Sequence, residues 1–192
     1  MKNKCGLLAV GVWVLLLAVS FCASSFGYDG WQEYSNDEQG YSLDLPADVQ
    51  TVFKKMRDRE EAAQNLLPFD YVNFSMKQSG QGQEPFELGL GVHWNKFKLS
   101  TRKFADLKDE GVKSGVKQYV THRSSAVTVA GIEGVRDDFA LEKEYGWTTY
   151  SRVIIPYNDK FFCFLCTLGA DKPVPEYEQA FKKIIESFDI KK

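Results

Sequence analysis

Residues 160–168, which read KFFCFLCTL, decide the fold. Side chains alternate between the two sides of a strand, so this stretch has two faces. One face carries Phe161, Cys163, Leu165 and Thr167, and the other carries Phe162, Phe164, Cys166 and Leu168. Both faces are apolar, and a strand with two apolar faces is covered on both sides. We therefore predict that this strand lies in the middle of a sheet.

Three pairs of apolar segments on either side of short turns predict the rest of the sheet. The pairs are Trp147–Ile155 with Lys160–Leu168, Phe69–Met76 with Phe86–Trp94 around the glycine-rich turn Ser79–Gln83, and Tyr119–Val129 with Ile132–Leu141. Connections of hairpin length join antiparallel strands, so the sheet is predicted to be mostly antiparallel. Tyr41–Leu45 and Val49–Phe53 are two shorter predicted strands.

Two segments have the three- and four-residue spacing of apolar side chains that is typical of a helix. The first extends from Ser100 to about Gln118, and Ser100 or Thr101 can cap its start. The second is Pro175–Phe188, with proline in the first turn. Met56–Leu67 is a weaker candidate. A mostly antiparallel sheet with helices on both faces buries all of these apolar surfaces, which predicts an α+β chain folded as an α/β/α sandwich.

Composition excludes several classes of protein. The chain has 192 residues, a net charge of −2 and 44% hydrophobic residues. A chain with so many apolar residues is not disordered. A nucleic-acid-binding domain usually has a positive charge excess, so we predict no nucleic-acid partner.

The N-terminus has the features of a secretory signal peptide. Two lysines precede an apolar run from Cys5 to Phe21, and the small residues 23–25 follow it. We predict a signal peptide over 1–25, cleaved near Ser25, and a single domain over 26–192. The protein would then be extracytoplasmic, either periplasmic or secreted. The alternative is an uncleaved segment that anchors the chain in a membrane, because the apolar run is at the short limit of what spans a bilayer.

Three short stretches resemble one known family. Residues 40–46 (GYSLDLP) are similar to the opening strand of PsbP-like and DcrB-like proteins, residues 128–134 (TVAGIEG) to a turn between middle strands, and 177–188 to the closing helix. The resemblance covers roughly 31–188. It implies an α/β/α sandwich and a non-enzymatic binding or assembly role outside the cytoplasm, and it transfers no catalytic residue. The lipoprotein cysteine of DcrB-like proteins is absent from this sequence, and residues 56–67 look like an insertion.

Cys163 and Cys166 form a C-x-x-C pair, a spacing known from redox and zinc sites. Within a strand these two residues face opposite sides, with Cα atoms roughly 10 Å apart. A disulfide needs less than about 7 Å, so we predict two buried free thiols, unless a bulge brings them together. A zinc site would need two further soft ligands, and His93 and His122 are the two histidines of the chain. We therefore predict no metal and no cofactor.

A set of polar residues defines a candidate ligand-binding face. Alternation places His93 on the same side of its strand as Gly89 and Gly91, and Tyr71 and Asn73 of the neighbouring strand can face that side. Tyr71, Asn73 and His93 are the candidate ligand-binding residues. The competing interpretation, which we favour, is a solvated or lightly covered outer face. If the face is solvated, His93→Ala would barely change stability.

Adjacent carboxylates on a strand diverge, and this applies to Asp137 and Asp138. One of them can pair with Arg136 or Arg152, and catalysis is not expected there. The chain is therefore predicted to be a non-catalytic binding or accessory domain of the cell envelope. Its partner would be a protein, an envelope component or a small ligand. The alternative is a small extracytoplasmic enzyme, a hydrolase or a thiol-dependent one, that uses His93 or Cys163/Cys166.

Overall fold

The structure, a computed structural model, describes residues 30–76, 85–144 and 146–191. The predicted signal peptide and the predicted glycine-rich turn Ser79–Gln83 lie outside the described residues. In chain order the elements are β1 (Trp31–Asn36), β2 (Tyr41–Pro46), β3 (Val49–Met56), α1 (Arg59–Gln64), β4 (Asp70–Met76), β5 (Glu87–Trp94), α2 (Thr101–Lys113), β6 (Gln118–Val129), β7 (Ile132–Lys143), β8 (Gly146–Tyr157), β9 (Lys160–Ala170), α3 (Pro175–Ser187) and β10 (Asp189–Ile190).

Seven of these strands form one sheet, in the order β3-β4-β5-β9-β8-β7-β6. Every pairing described in it is antiparallel. The predicted hairpins β4–β5, β6–β7 and β8–β9 are all present. The strand that we predicted to be central, β9, lies between β5 and β8 with three strands on either side, so the sequence pattern located it correctly.

The helices begin where the sequence indicates. Ser100 precedes α2, and its hydroxyl oxygen accepts a hydrogen bond from the Lys103 amide at 3.2 Å, as an N-terminal cap does. Pro175 is the first residue of α3. Of the weaker candidate over 56–67, residues Arg59–Gln64 are helical, while Met56 ends β3.

Buried apolar side chains form two clusters, and β9 contributes to both. Phe162 and Phe164 pack in the larger cluster, which includes the apolar side chains of α3 and most of β4 and β5. Phe161 and Cys163 pack in a smaller cluster with Phe104 of α2. Burial on both sides of β9 is therefore confirmed as far as Cys166, except that Leu165 is 39% exposed.

A second sheet was not predicted. β1 and β10 pair with the two edges of β2 to make a three-stranded sheet. The inward side chains of β2 belong to the larger cluster, and its Asp44 amide donates a 2.9 Å hydrogen bond to the Ser187 hydroxyl at the end of α3. β1 is largely polar and β10 has two residues, so neither carries the alternating apolar pattern that reveals a strand.

Candidate functional site

The predicted ligand-binding face has the register that the sequence indicates, but a side chain fills it. Tyr71 lies opposite Gly91 and Asn73 lies opposite Gly89. A Cβ atom placed on Gly89 would be 2.6 Å from the Tyr71 hydroxyl oxygen, so the Tyr71 side chain lies over Gly89. Because glycine has no side chain, Tyr71 can approach it this closely. The Tyr71 side chain then leaves little room for a ligand over Gly89 on this face of the two strands.

His93 is buried beneath α2, so the expectation of a solvated or lightly covered outer face is wrong at this residue. It is 3% exposed, and its ring makes an edge contact with Phe104 of α2 at 5.0 Å between ring centroids. Pro68, which follows α1, covers the adjacent Gly91. The covering residues come from α2 and from the segment around α1, whose packing no local pattern reveals. A ligand-binding role for Tyr71, Asn73 and His93 stays a prediction.

The surroundings of His93 favour a neutral imidazole. Burial lowers its pKa well below the usual value, and the charge of Lys108 lowers it further. Backbone hydrogen bonds with Leu66 and Leu67 act in the opposite direction without reversing the shift. Its Nδ1 atom is buried and has no hydrogen-bond partner among the described residues.

Cys163 and Cys166 lie as predicted. Both are free and buried, and they belong to different apolar clusters. Burial raises the pKa of both thiols, although the Lys108 and Arg152 charges partly oppose this at Cys163. Since the thiolate is the nucleophile, a raised pKa disfavours thiol catalysis. The irregular pairing of β8 with β9 lies beyond Cys166, so no bulge brings the thiols together.

A buried ionic cluster joins α2 to the sheet. Arg152 is 3% exposed, and its Nη2 atom lies 2.7 Å from carboxylate oxygens of both Asp109 and Asp137. Asp137 also accepts hydrogen bonds from Ser124 at 2.7 Å and from Arg102 at 3.1 Å. The predicted pairing of one of the adjacent carboxylates is confirmed. Apart from the buried Arg152 Nε atom, which has no hydrogen-bond partner among the described residues, these groups satisfy one another, so the cluster positions α2 rather than offering an open site.

Burial opposes ionisation of Asp137, but hydrogen bonds from Arg152 and Ser124 outweigh it and hold the pKa of this carboxyl below its usual value. The other member of the adjacent pair, Asp138, accepts hydrogen bonds from Arg136 at 2.9 Å and from the Ser151 hydroxyl at 2.6 Å. The two carboxylates therefore have separate partners, as expected for adjacent residues of one strand.

An open cleft of about 350 Å³ lies beside the first turns of α3 and was not predicted. We call it the α3 cleft. It is lined by His122, Arg123, Asp138, Phe139, Thr149, Tyr150, Leu168, Asp171, Pro173 and Glu178. These residues come from four strands, a loop and a helix, so no stretch of sequence contains a recognisable part of it.

Large apolar side chains are exposed on β3, an edge strand of the seven-stranded sheet. Val52, Phe53 and Met56 are 64%, 49% and 57% exposed. The sequence predicted a strand here over Val49–Phe53, three residues shorter than observed, but gave no sign that its side chains would face solvent. We call Val52–Met56 the β3 patch.

No helix among the described residues is long and apolar enough to cross a membrane. Within the same residues, no three or more His, Cys, Asp or Glu side chains are grouped so that they could hold a metal ion.

Comparison with solved structures identifies the fold. The chain is similar to CyanoP, the cyanobacterial PsbP of Synechocystis sp. PCC 6803, with a TM-score of 0.57 and 13% identity over 86% of this chain and 95% of that one. It is similar to the Ran-binding protein Mog1p of Saccharomyces cerevisiae, with a TM-score of 0.56 and 8% identity over 84% of this chain and 95% of that one.

A third similar structure is LpqN of Mycobacterium tuberculosis, described as involved in cell envelope biogenesis. Its TM-score is 0.53 at 15% identity, covering 85% of this chain and 93% of that one. No protein-family model matches the sequence, and neither does any curated protein. The PsbP-like fold is thus confirmed, while identities this low carry no information about function.

Proposed function

We propose that this chain is an exported, non-catalytic binding or accessory protein of the cell envelope, and that a protein partner docks on the β3 patch. The observation that carries the proposal is the exposure of three large apolar side chains on an edge strand. Edge strands usually avoid such side chains because their unpaired peptide groups can pair with another chain. Where an exposed apolar patch is retained on such an edge, a partner surface is the usual reason.

The pairing of β3 with β4 is regular from Phe53 to Met56, after a register shift between Thr51 and Phe53, and this regular part supports docking by strand addition. Within the described part of the chain, β4 is the one strand paired with β3. The far edge of β3 can therefore receive an extended segment, whose main-chain hydrogen bonds supply affinity while side chains such as Phe53 supply specificity.

Charge indicates the chemistry of that segment. The stretch from Val49 to Arg57 contains Lys54, Lys55 and Arg57 but no carboxylate, although the whole chain is net negative. Neither Lys54 nor Lys55 forms an ion pair within the described residues. An extended segment that combines apolar side chains with Asp or Glu matches this surface.

The architecture we propose for this binding domain is an α/β/α sandwich, with α2 and α3 on opposite faces of the seven-stranded sheet. Alternate side chains of β9 support it, because Phe161 packs with Phe104 of α2 while Phe162 packs with the cluster of α3. In this arrangement both faces of the central strands are occupied, and the edge strands are left for a partner.

Export and cleavage near Ser25 are part of the proposal, and the sequence of residues 1–25 supports them. The intact mass of the protein recovered from its host would locate the cleavage site. The enzymatic alternative has no comparable support, since His93 is buried and burial raises the pKa of both thiols.

Site-specific photocrosslinking tests the docking surface. A photoreactive phenylalanine analogue replaces Phe53 in one variant and Glu186, an exposed residue of α3, in a control. After irradiation in the native host, we expect one discrete crosslinked protein from position 53 and none from position 186. No crosslink at position 53, or the same products from both positions, contradicts the proposal.

A further inference from the structure

We propose that β6 pairs with β6 of a second copy of this chain, antiparallel about a two-fold axis at Ala126, so that the protein forms a homodimer. β6 lies at the edge of the seven-stranded sheet opposite to β3. The inference does not depend on the docking proposed for the β3 patch, because this arrangement leaves that patch uncovered. The free backbone groups of β6, its neutral sequence and the charges of the two edges carry it.

Alternate peptide groups of β6 point away from β7. A two-residue turn, 130–131, joins the two strands, and both of its residues have positive φ, 50° and 76°, as a type I′ turn requires. The residues that flank such a turn, Val129 and Ile132, exchange hydrogen bonds, and alternate residues along β6 do the same. The residues that direct their N–H and C=O groups to the free edge are therefore Ser124, Ala126 and Thr128. Within the described residues, no other element supplies a backbone hydrogen bond to these groups.

The free edge of β6 lacks the usual protection over half of its length. Edge strands of monomers are normally interrupted by charged side chains, prolines or bulges. β6 has a register shift between Thr121 and Arg123, but residues 124–129 (SSAVTV) pair regularly with β7 and include no charged residue, proline or glycine. A regular, uncharged run of small and β-branched residues is well suited to pairing with a further strand.

The sequence of this run matches itself when it is turned around. In an antiparallel pair of identical strands, outward-directed residues must lie opposite outward-directed residues, which places the two-fold axis at a residue rather than between residues. With the axis at Ala126, Ser124 lies opposite Thr128 and Ser125 lies opposite Val127 of the second copy. Every outward-directed residue of the run then has a partner, cross-strand Ser–Thr pairs are favourable, and no charged side chain lies opposite another.

Charge favours this pairing over the other two ways of joining the edges of two copies. The β3 edge carries Lys54 and Lys55 without a carboxylate from Val49 to Arg57, so two β3 edges would bring lysines together. A contact between β3 of one copy and β6 of the next would be heterologous and would continue from copy to copy. Pairing of β6 with β6 closes after two copies and keeps the basic edges apart.

The dimer has one continuous sheet with seven strands from each copy, and a β3 patch lies at each outer edge. The helices make their main contacts with other strands, α2 with β7 and β8 and α3 with β2 and β9, which leaves room for a second copy beside β6. Because the paired run is short and its side chains are small, it buries less area than a standard interface. We therefore expect a dimer that dissociates on dilution.

Sedimentation velocity over a series of concentrations, on the protein purified from its host, tests the proposal. We expect a concentration-dependent equilibrium between monomer and dimer. Ala126→Lys, at an exposed residue, brings two lysines together at the axis and should raise the dissociation constant of the dimer at least about tenfold. Gln118→Lys adds the same charge at an exposed residue of the same strand outside the paired run, and should leave the dimer unchanged. Thermal unfolding of each variant checks that it folds.

Crosslinking tests the register. A short bismaleimide should join two copies of the Ala126→Cys variant and should not join copies of Gln118→Cys, while the wild type gives the background from the native cysteines. The proposal is overturned if the protein is monomeric at every concentration, if Ala126→Lys dimerises as wild type does, or if the two cysteine variants crosslink equally. It is also overturned if the protein is monomeric and residue 126 crosslinks in the host to a different protein.

Discussion

At the scale of single residues, two buried polar side chains, Arg152 and His93, differ in the charged groups that surround them. Arg152 has two carboxylate partners and closes an ionic cluster between α2 and the sheet. His93 is as deeply buried, but its Nδ1 atom has no partner among the described residues, its ring packs against Phe104, and its hydrogen bonds are with the backbone of Leu66 and Leu67. A buried charged residue requires oppositely charged partners, whereas burial and the nearby Lys108 charge keep the His93 imidazole neutral.

Arg152→Met leaves Asp109 and Asp137 buried without their cation, so we expect the free energy of unfolding to fall by about 3 to 5 kcal/mol. Urea unfolding measures it. Lys182→Met removes one partner of the exposed pair with Glu186 and should change stability by less than about 0.5 kcal/mol. Equal effects of the two substitutions would mean that Arg152 is not held as described.

His93 makes stability depend on pH in the mildly acidic range. Its pKa in the folded protein is well below the value of about 6.5 in an unfolded chain. Below about pH 6.5 the unfolded state therefore takes up a proton that the folded state does not, and stability falls as pH falls. Between roughly pH 7.5 and 5.5 we expect this residue to account for a loss on the order of 1 kcal/mol.

The measurement is urea unfolding at both pH values for wild type and His93→Gln, which removes the titrating group. The pH-dependent loss should be smaller in the variant by that amount. An identical pH dependence in both proteins would indicate that His93 is solvated in the folded state, which is one form of the interpretation that the sequence analysis favoured.

At the scale of elements, local patterns were sufficient to locate a strand or helix wherever its apolar side chains recur at the spacing of that element. Alternation in β9 identified the central strand and the opposite faces of Cys163 and Cys166, and helical spacing identified α2 and α3. The polar strand β1 and the short β10 were missed because their pairing with β2 is a tertiary contact. The burial of His93 was missed for the same reason, since the covering residues lie in α1, α2 and the segment after α1.

Close contact between β7 and β8 gives a test at this scale. A Cβ atom on Gly134 would lie 2.4 Å from the Ile154 carbonyl oxygen, which is backbone and cannot move aside without disturbing the sheet. We expect Gly134→Ala to destabilise the protein by about 1 to 3 kcal/mol in urea unfolding.

Gly111→Ala provides the control for that substitution. A Cβ atom on Gly111 in α2 would meet nothing within 4 Å, so alanine should stabilise the helix by up to about 1 kcal/mol. A neutral or stabilising Gly134→Ala substitution would contradict the described approach of the two strands.

At the scale of the whole molecule, the sequence predicts the PsbP-like fold but does not reveal which surfaces are free. The α3 cleft combines β6, the loop after β9 and α3, and the β3 patch is exposed because the chain places β3 at the edge of the sheet. Both surfaces follow from the order of strands, which hairpin patterns do not specify. The proposed function therefore depends on topology more than on any motif.

The affinity of the crosslinked partner for β3 variants tests the proposed docking most directly. With the partner purified, we expect Val52→Ser combined with Phe53→Ser to weaken binding at least about tenfold, while the loss of the Phe53 contact with the Tyr71 ring lowers the free energy of unfolding by no more than about 2 kcal/mol and leaves the protein folded. Val120→Ser, at an exposed apolar residue on the opposite edge strand β6, should bind as wild type does. Unchanged affinity in the β3 variant would contradict docking on this strand.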